Sequence, residues 1–130
     1  MRYIMDSYAW IEYFMGTEAG QKVRKIIDSE ADEKLTPSIC LAEIYAKILK
    51  TEDQEKAELR RTFIKSRSAL VRLTEELAVE TAKVDVVMKK RISGWGLADS
   101  VVLSTARNKE GKVVTGDPHF RGLPESHLIL

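Results

Sequence analysis

The chain has 130 residues, of which 44% are hydrophobic and 32% are charged, so we expect one globular domain over residues 1–130. A formal net charge of +1 gives no overall attraction to nucleic acid or membrane, and any such binding must come from local clusters. The single cysteine, Cys40, excludes an internal disulfide and a cysteine-based zinc site, and it suits a reducing cytoplasm. No apolar stretch approaches the roughly 20 residues that a membrane-spanning helix needs.

The first half of the chain is expected to alternate strands and helices. The apolar run that ends in Asp6 predicts a buried strand, and apolar residues at helical spacing follow it. Ser38 is a good N-cap for the next long helix, and Thr51 with Gln54 forms a capping-box pattern. The elements expected here are a strand Arg2–Asp6, a helical segment through Met15, a helix Glu18–Ser29, a strand Lys34–Pro37, a helix from Ser38 to about Lys50 and a helix of about Asp53–Ser66.

The second half continues the same alternation. Thr74 is expected to cap a long helix whose apolar residues recur every three or four positions, and Gly111 is expected to help end the following helix. The elements expected here are a strand Ala69–Leu73, a helix from Thr74 to about Lys90, a loop Ile92–Gly96, a helix Leu97–Asn108, a strand Val113–Thr115 and a strand His127–Leu130.

Strands separated by helices predict an α/β fold, in which a central, mostly parallel sheet is covered on both faces. Ligands of such sheets bind at the carboxyl ends of the strands. Two acids are expected at strand ends, Asp6 before the hydroxyl of Ser7 and Asp117 in the run VVTGDPHF. Two more are expected in the first turns of helices, Glu43 and Asp99.

Four carboxylates at one edge of a sheet would repel one another. Two like charges about 4 Å apart cost roughly 4 kcal/mol at an effective dielectric of 20. Either some of the carboxylates stay protonated or a cation neutralises them. An all-oxygen site selects hard ions, Mg²⁺ or Mn²⁺, and Mg²⁺ commonly takes substrate phosphates as further ligands. The pattern therefore indicates phosphodiester chemistry.

The ordered set of motifs resembles the PIN-domain ribonucleases, and among them the VapC-type toxins of toxin–antitoxin pairs. The likeness spans essentially the whole chain, and it rests on four motifs: Asp6-Ser7 after the first strand, Ala42-Glu43 in a helix, Leu97-Ala98-Asp99-Ser100, and Thr115-Gly116-Asp117-Pro118-His119-Phe120.

The resemblance implies a three-layer α/β/α fold and metal-dependent endonucleolytic cleavage of RNA. Asp6, Glu43, Asp99 and Asp117 match the acidic metal-binding positions of the family, with one or two Mg²⁺ (or Mn²⁺) ions held mainly by the three aspartates. Glu43 is then expected to bind through a water or to orient the attacking water.

Four further residues bear on this site. Ser7 and Thr115 match the supporting hydroxyls of the family. His119 stands where many relatives carry a further aspartate, which puts a second metal site in question, and we expect His119 to be structural or exposed. Cys40 is expected to be a small core residue.

An acidic site repels RNA unless cations surround it, so basic residues near it are candidates for phosphate contacts. These candidates are Lys47, one turn beyond Glu43, and the run Lys89, Lys90 and Arg91 before the glycine-containing loop. A solvated helix end is the alternative explanation of that run. Trp95 could stack on an unpaired base, although an aromatic residue between glycines more often covers the edge of a core.

The resemblance also implies partners, namely frequent homodimers and an antitoxin held in a groove between helices. Apolar residues along 45–49 and 59–64 are candidates for covering by such a partner. Two other functions stay open at this point. One is a housekeeping PIN-type nuclease in RNA processing, and the other is a non-catalytic receiver-like or binding module.

Overall fold

The computed structural model describes residues 1–130. Five strands and six helices follow one another along the chain, with a 3₁₀ turn at Pro118–Phe120. In chain order they are β1 (Arg2–Met5), α1 (Ser7–Met15), α2 (Glu18–Asp28), β2 (Glu33–Pro37), α3 (Ser38–Thr51), α4 (Gln54–Arg67), β3 (Ala69–Val71), α5 (Glu75–Arg91), α6 (Leu97–Lys109), β4 (Lys112–Thr115) and β5 (Ser126–Leu128).

The strands form one sheet in the order β3-β2-β1-β4-β5, and every neighbouring pair is parallel. Helices cover both faces, so the expected α/β/α fold is confirmed, and the sheet is wholly rather than mostly parallel. The chain runs outward from β1 on one side to β2 and β3, and it returns on the other side as β4. The strand order therefore reverses between β1 and β4, and their carboxyl ends border the crevice where such sheets bind ligands.

Two apolar clusters, one on each face, hold the helices against the sheet. Ile4 and Val113 belong to one cluster with residues of α5 and α6, whereas Met5 and Val114 belong to the other with residues of α1, α2, α3 and α4. All four of these side chains are fully buried. Successive residues of a strand point to opposite faces, and β1 and β4 therefore contribute to both clusters. None of the helices combines the length and the apolar character that crossing a membrane requires.

The helix caps differ in part from the expected ones. Thr74 caps α5 as expected, and its hydroxyl accepts the N–H of Leu77 at 3.2 Å. Ser38 is not a cap, because it is already the first helical residue and Pro37 precedes it without a side-chain bond. Asp53, not Thr51, caps α4, since Asp53 stands next to the first helical residue and accepts the N–H of Lys56 at 2.8 Å.

The end of α6 combines an unexpected residue with an expected one. Glu110 takes the left-handed conformation, with a φ of 55°. Gly111 contributes as expected through its N–H, which donates to the carbonyl of Ala106 at 2.9 Å. A Cβ at Gly111 would lie 3.1 Å from the carbonyl oxygen of Arg2, so the glycine also lets the chain pass close to β1.

Candidate metal centre and nuclease site

Asp6 lies at the junction of β1 and α1 and links the two central strands. Its Oδ1 accepts the N–H of Ser7 at 2.8 Å, which caps α1, and its Oδ2 accepts the hydroxyl of Thr115 at 2.8 Å. Thr115 is the last residue of β4, whose register places Val114 beside Met5. Parallel pairing of β1 with β4 therefore brings together two residues that lie 109 positions apart in the sequence.

The Asp6 carboxylate is costly to ionise. The residue is only 7% exposed, and burial is the main reason why the pKa of Asp6 is raised to about 6 from an ordinary 3.8. The hydrogen bonds from Thr115 and Ser7 oppose that rise, and the negative charges of Glu43 and Asp99 add to it. A group in this position gains from a nearby cation more than an exposed aspartate does.

Helix α3 contributes Cys40 and Glu43 to the same place. The Cys40 Sγ lies 3.7 Å from Asp6 Oδ1, and burial is the first reason why the pKa of this thiol lies well above its ordinary value. Cys40 is therefore a neutral core residue, as expected. The pKa of Glu43 is also raised, first by partial burial and then by the charges of Asp99 and Asp117, while the Ser7 hydroxyl acts in the opposite direction.

Asp99 and Asp117 complete the group of acids, and each also holds a local turn. Asp99 Oδ2 accepts the N–H of Gly96 at 3.0 Å at the start of α6. Asp117 Oδ1 accepts the N–H of His119 at 2.9 Å, and the Asp117 N–H donates to the Thr115 hydroxyl at 3.0 Å. The Thr115 hydroxyl thus connects Asp6 to the backbone of Asp117. Capping and membership of the site are compatible, because each of the two oxygens of a carboxylate carries two lone pairs.

The four acids line one cleft of about 340 Å³, which we call the acidic cleft. Its other lining residues are Ser7, Tyr8, Ile11, Glu12, Met15, Lys47 and Ala98. No lysine or arginine forms an ion pair with any of the four carboxylates. A cleft of carboxylate oxygens that no lysine or arginine neutralises by direct pairing fits a hard divalent ion, and the donor set is that of Mg²⁺ or Mn²⁺.

A family model of the PIN domain matches residues 3–125 of the chain. The chain belongs to the PIN domain family. No curated protein matches this PIN domain significantly in sequence.

Solved structures of VapC and VapBC proteins share the fold of this PIN domain. DNA-bound VapBC from Salmonella typhimurium superposes with a TM-score of 0.78 at 16% identity, covering 100% of this chain and 99% of that one. VapC20 from Mycobacterium tuberculosis, a toxin that cleaves the sarcin–ricin loop, gives a TM-score of 0.77 at 13% identity and covers 95% of both chains. VapBC2 from Rickettsia felis, bound to a promoter DNA fragment, gives 0.76 at 15% identity and covers 98% and 97%.

The basic residues expected near the site of the PIN domain divide into two groups. Lys47 lines the acidic cleft, whereas Lys89, Lys90 and Arg91 at the end of α5 do not. Lys89 forms an ion pair with Asp85 at 3.0 Å, so its ammonium already has a partner on its own helix.

Trp95 cannot serve as a base-stacking platform in this PIN domain, and that expectation is wrong. Its side chain is buried, with 4% exposure, and its Nε1 donates to the Ser100 hydroxyl at 2.7 Å. That hydroxyl donates in turn to Asp85 at 2.8 Å. The indole packs against Phe120, with ring centroids 5.2 Å apart, because the loop before α6 closes over the core at this point.

Sequence reasoning missed the position of His119 in the PIN domain. Its Nδ1 lies 3.1 Å from Asp99 Oδ2 and 3.7 Å from Asp117 Oδ1, so the ring joins the acid group although its side chain is still 32% exposed. The available signal was Pro118, which favours a tight turn directly after Asp117 and thereby brings residues two apart together. Tyr8 and Glu12, which line the acidic cleft, carried no comparable signal.

Proposed function

We propose that residues 1–130 form one PIN domain that cleaves RNA phosphodiester bonds endonucleolytically with Mg²⁺ or Mn²⁺, as the toxin of a toxin–antitoxin pair. The observation that carries the proposal is that four carboxylates line one cleft and that none of them forms an ion pair with a lysine or arginine. The fold shared with VapC20, described as a toxin that cleaves the sarcin–ricin loop, supports RNA as the substrate class. The two VapBC structures support an antitoxin as the partner.

In this proposal Asp6, Asp99 and Asp117 hold the ion, and Glu43 borders it. When bound, the ion stabilises negative charge on the phosphate oxygens and promotes deprotonation of water. Glu43 is suited to accept a proton from the attacking water or to orient that water, because the pKa of its carboxyl is raised toward neutrality by partial burial and by neighbouring charges. No side chain is required as a nucleophile.

The two hydroxyl residues have supporting roles that follow from their hydrogen bonds. Thr115 donates to Asp6 Oδ2 and accepts the N–H of Asp117, so it sets the orientation of one carboxylate and the distance to the next. The Ser7 N–H holds Asp6 Oδ1, and the Ser7 hydroxyl lies 3.5 Å from the same oxygen. With both oxygens of Asp6 restrained, its lone pairs keep a fixed direction towards the cleft.

The substrate must approach a cleft whose own charge is negative. Lys47 is the cation best placed to contact a phosphate, because it lines the acidic cleft on α3. Lys89, Lys90 and Arg91 remain proposed contacts for a longer stretch of RNA outside the cleft.

The expected homodimer and the cytoplasmic location stay predictions. The proposed antitoxin surface includes Leu49 on α3 and Leu59 on α4, which are 47% and 63% exposed. Exposed apolar side chains on neighbouring helices are typical of a protein–protein contact.

The experiment compares RNA cleavage by the native protein and by Asp6→Asn on a panel of structured RNAs, with Mg²⁺ and with chelator. We expect chelator to stop cleavage and Asp6→Asn to reduce the rate by more than about a hundredfold, because transition-state charge loses several kcal/mol of stabilisation. Asp53→Asn is the matched control, because Asp53 caps a helix in the same way at an exposed position. Unchanged cutting by Asp6→Asn would refute the proposal.

A further inference from the structure

The side chain of His119 lies beside two carboxylates and is bordered by Gly94 and Trp95. A Cβ at Gly94, where φ is +81°, would lie 3.3 Å from His119 Nε2, so this edge of the ring rests against the Gly94 backbone. The Trp95 indole lies alongside, with ring centroids 6.2 Å apart. The backbone N–H of His119 is held by Asp117 Oδ1 at 2.9 Å. These contacts leave Nδ1 as the nitrogen that faces the acids.

The spacing of the three groups suits ligands of one ion. Nδ1 lies 3.1 Å from Asp99 Oδ2 and 3.7 Å from Asp117 Oδ1, and one ligand atom from each of the three residues lies within 4.8 Å of the others. Two ligands that each bind an ion at about 2.1 Å, at right angles to one another, are about 3 Å apart. The ring and the two carboxylates therefore need little movement to share an ion.

We infer that His119 Nδ1, Asp99 and Asp117 form a divalent-metal site of mixed nitrogen and oxygen ligands, which prefers a transition-metal ion such as Mn²⁺ over Mg²⁺. Imidazole is a favourable ligand for transition metals, whereas Mg²⁺ is best served by oxygen. Asp6 and Glu43 form a second group with the Cys40 Sγ, but the pKa of that thiol is raised well above its ordinary value by burial, so oxygen is the ligand that this group offers. The inference rests on the proposed function in one respect, which is that an ion binds in the acidic cleft. It adds that His119 determines which divalent ion this site prefers.

One other role of His119 uses the same distances. If Nδ1 carries a proton, it donates a hydrogen bond to Asp99 and orients that carboxylate without touching a metal. The two roles differ in one observable, which is direct coupling between the imidazole nitrogen and the ion.

The test uses the full chain without a histidine tag, in the absence of RNA, and titrates it with Mn²⁺. Electron spin echo envelope modulation of the bound Mn²⁺ is expected to show coupling to ¹⁴N in the native protein. The coupling should persist in His127→Gln, which removes the other histidine, whose ring packs against Tyr3 with centroids 5.5 Å apart. It should disappear in His119→Gln. The ¹⁴N coupling of Mn²⁺ is first measured in the native protein. The inference can therefore be tested even if His119→Gln does not fold.

Calorimetry provides the second readout. His119→Gln is expected to weaken Mn²⁺ binding at this site by at least about tenfold, since loss of even an outer partner of a metal site costs that much. His119→Asp is expected to narrow the preference for Mn²⁺ over Mg²⁺, because it restores an oxygen ligand. Absence of ¹⁴N coupling in the native protein, or an unchanged Mn²⁺ affinity in a folded His119→Gln, would overturn the inference.

The outcome can be separated from that of the nuclease proposal. If the protein shows ¹⁴N coupling but cuts no RNA, the mixed-ligand site is supported and the proposed nuclease activity is refuted. If the protein cuts RNA with divalent ions but shows no ¹⁴N coupling, the nuclease activity is supported and the mixed-ligand site is refuted.

Discussion

Replacing Asp6 by asparagine is expected to stabilise the metal-free protein at neutral pH. The pKa of this buried carboxyl is about 6 in the folded chain, against an ordinary 3.8. Below pH 3.8 the group is protonated in both the folded and the unfolded chain. Between the two values the folded chain binds more protons, so the stability present at low pH is lost as the pH rises through 6. Above that pH the folded chain holds a buried charge.

The size of the effect follows from the two pKa values. Each pH unit between the folded and the unfolded pKa corresponds to about 1.4 kcal/mol. The difference between the two pKa values of Asp6 therefore corresponds to about 3 kcal/mol of stability lost by the native protein at pH 8. Asparagine cannot ionise and escapes this loss. Its amide N–H₂, however, replaces one of the two oxygens that accept from Thr115 and Ser7, and such a mismatch costs about 1 kcal/mol. We therefore expect Asp6→Asn to be more stable than the native protein by about 2 kcal/mol at pH 8, and less stable at pH 4.

Urea unfolding in the presence of chelator, at pH 4, 6 and 8, measures the difference in unfolding free energy between Asp6→Asn and the native protein at each pH. Asp53→Asn should stay within about 0.5 kcal/mol of the native protein at each pH, because asparagine caps a helix as well as aspartate does. Added Mn²⁺ should stabilise the native protein more than it stabilises Asp6→Asn, since the variant lacks one carboxylate of the acidic cleft. A variant that is destabilised equally at pH 4 and at pH 8 would refute the reasoning from burial.

Three further outcomes test other parts of the molecule. Thr115→Val removes the hydroxyl that donates to Asp6, and thermal unfolding should show a loss of about 1–3 kcal/mol; a smaller loss would mean that the buried bond contributes little. Gly20→Ala would place a Cβ 2.2 Å from a carbonyl oxygen of α1, so α1 and α2 must separate and urea unfolding should show a loss of at least about 1–3 kcal/mol; an unchanged midpoint would contradict this packing. Lys47→Ala should weaken RNA binding and lower the steepness of log affinity against log salt by about 1. The control Lys25→Ala, on α2, should change neither quantity. Equal effects of the two substitutions on RNA binding would exclude a specific contact of Lys47 in the cleft.

The acids of the site were predictable because their positions depend on local features. Asp6 directly follows β1, Asp117 comes two residues after the last residue of β4, and Asp99 lies in the first turn of α6. Given a parallel sheet, these three places fall at one edge, so the identity of the cleft residues followed from the order of the elements. Glu43 was predictable in part, since its helix starts where β2 ends, but α3 has no acid in its first turn, and Glu43 lies in the second turn instead of the expected first.

The orientation of individual side chains was not predictable in the same way. Trp95 is buried because Ser100 and Phe120, which come later in the chain, provide a hydrogen-bond acceptor and a packing surface. His119 joins the acids because Gly94 and Trp95, from a separate loop, border its ring. Both outcomes depend on contacts between segments that approach each other only in the folded chain, and no periodicity in the sequence records such contacts.

The placement of β4 beside β1 has a consequence for how the protein is made. A ribosome must synthesise the chain through Asp117 before the partner of Asp6 in the sheet exists, because Thr115 and Asp117 belong to β4 and the turn after it. A nascent or prematurely terminated chain that ends before β4 already contains Asp6, Glu43 and Asp99, but it lacks Thr115, Asp117 and the strand that pairs with β1 on this side. The acidic cleft is therefore incomplete in a nascent chain until β4 and the turn after it have been synthesised.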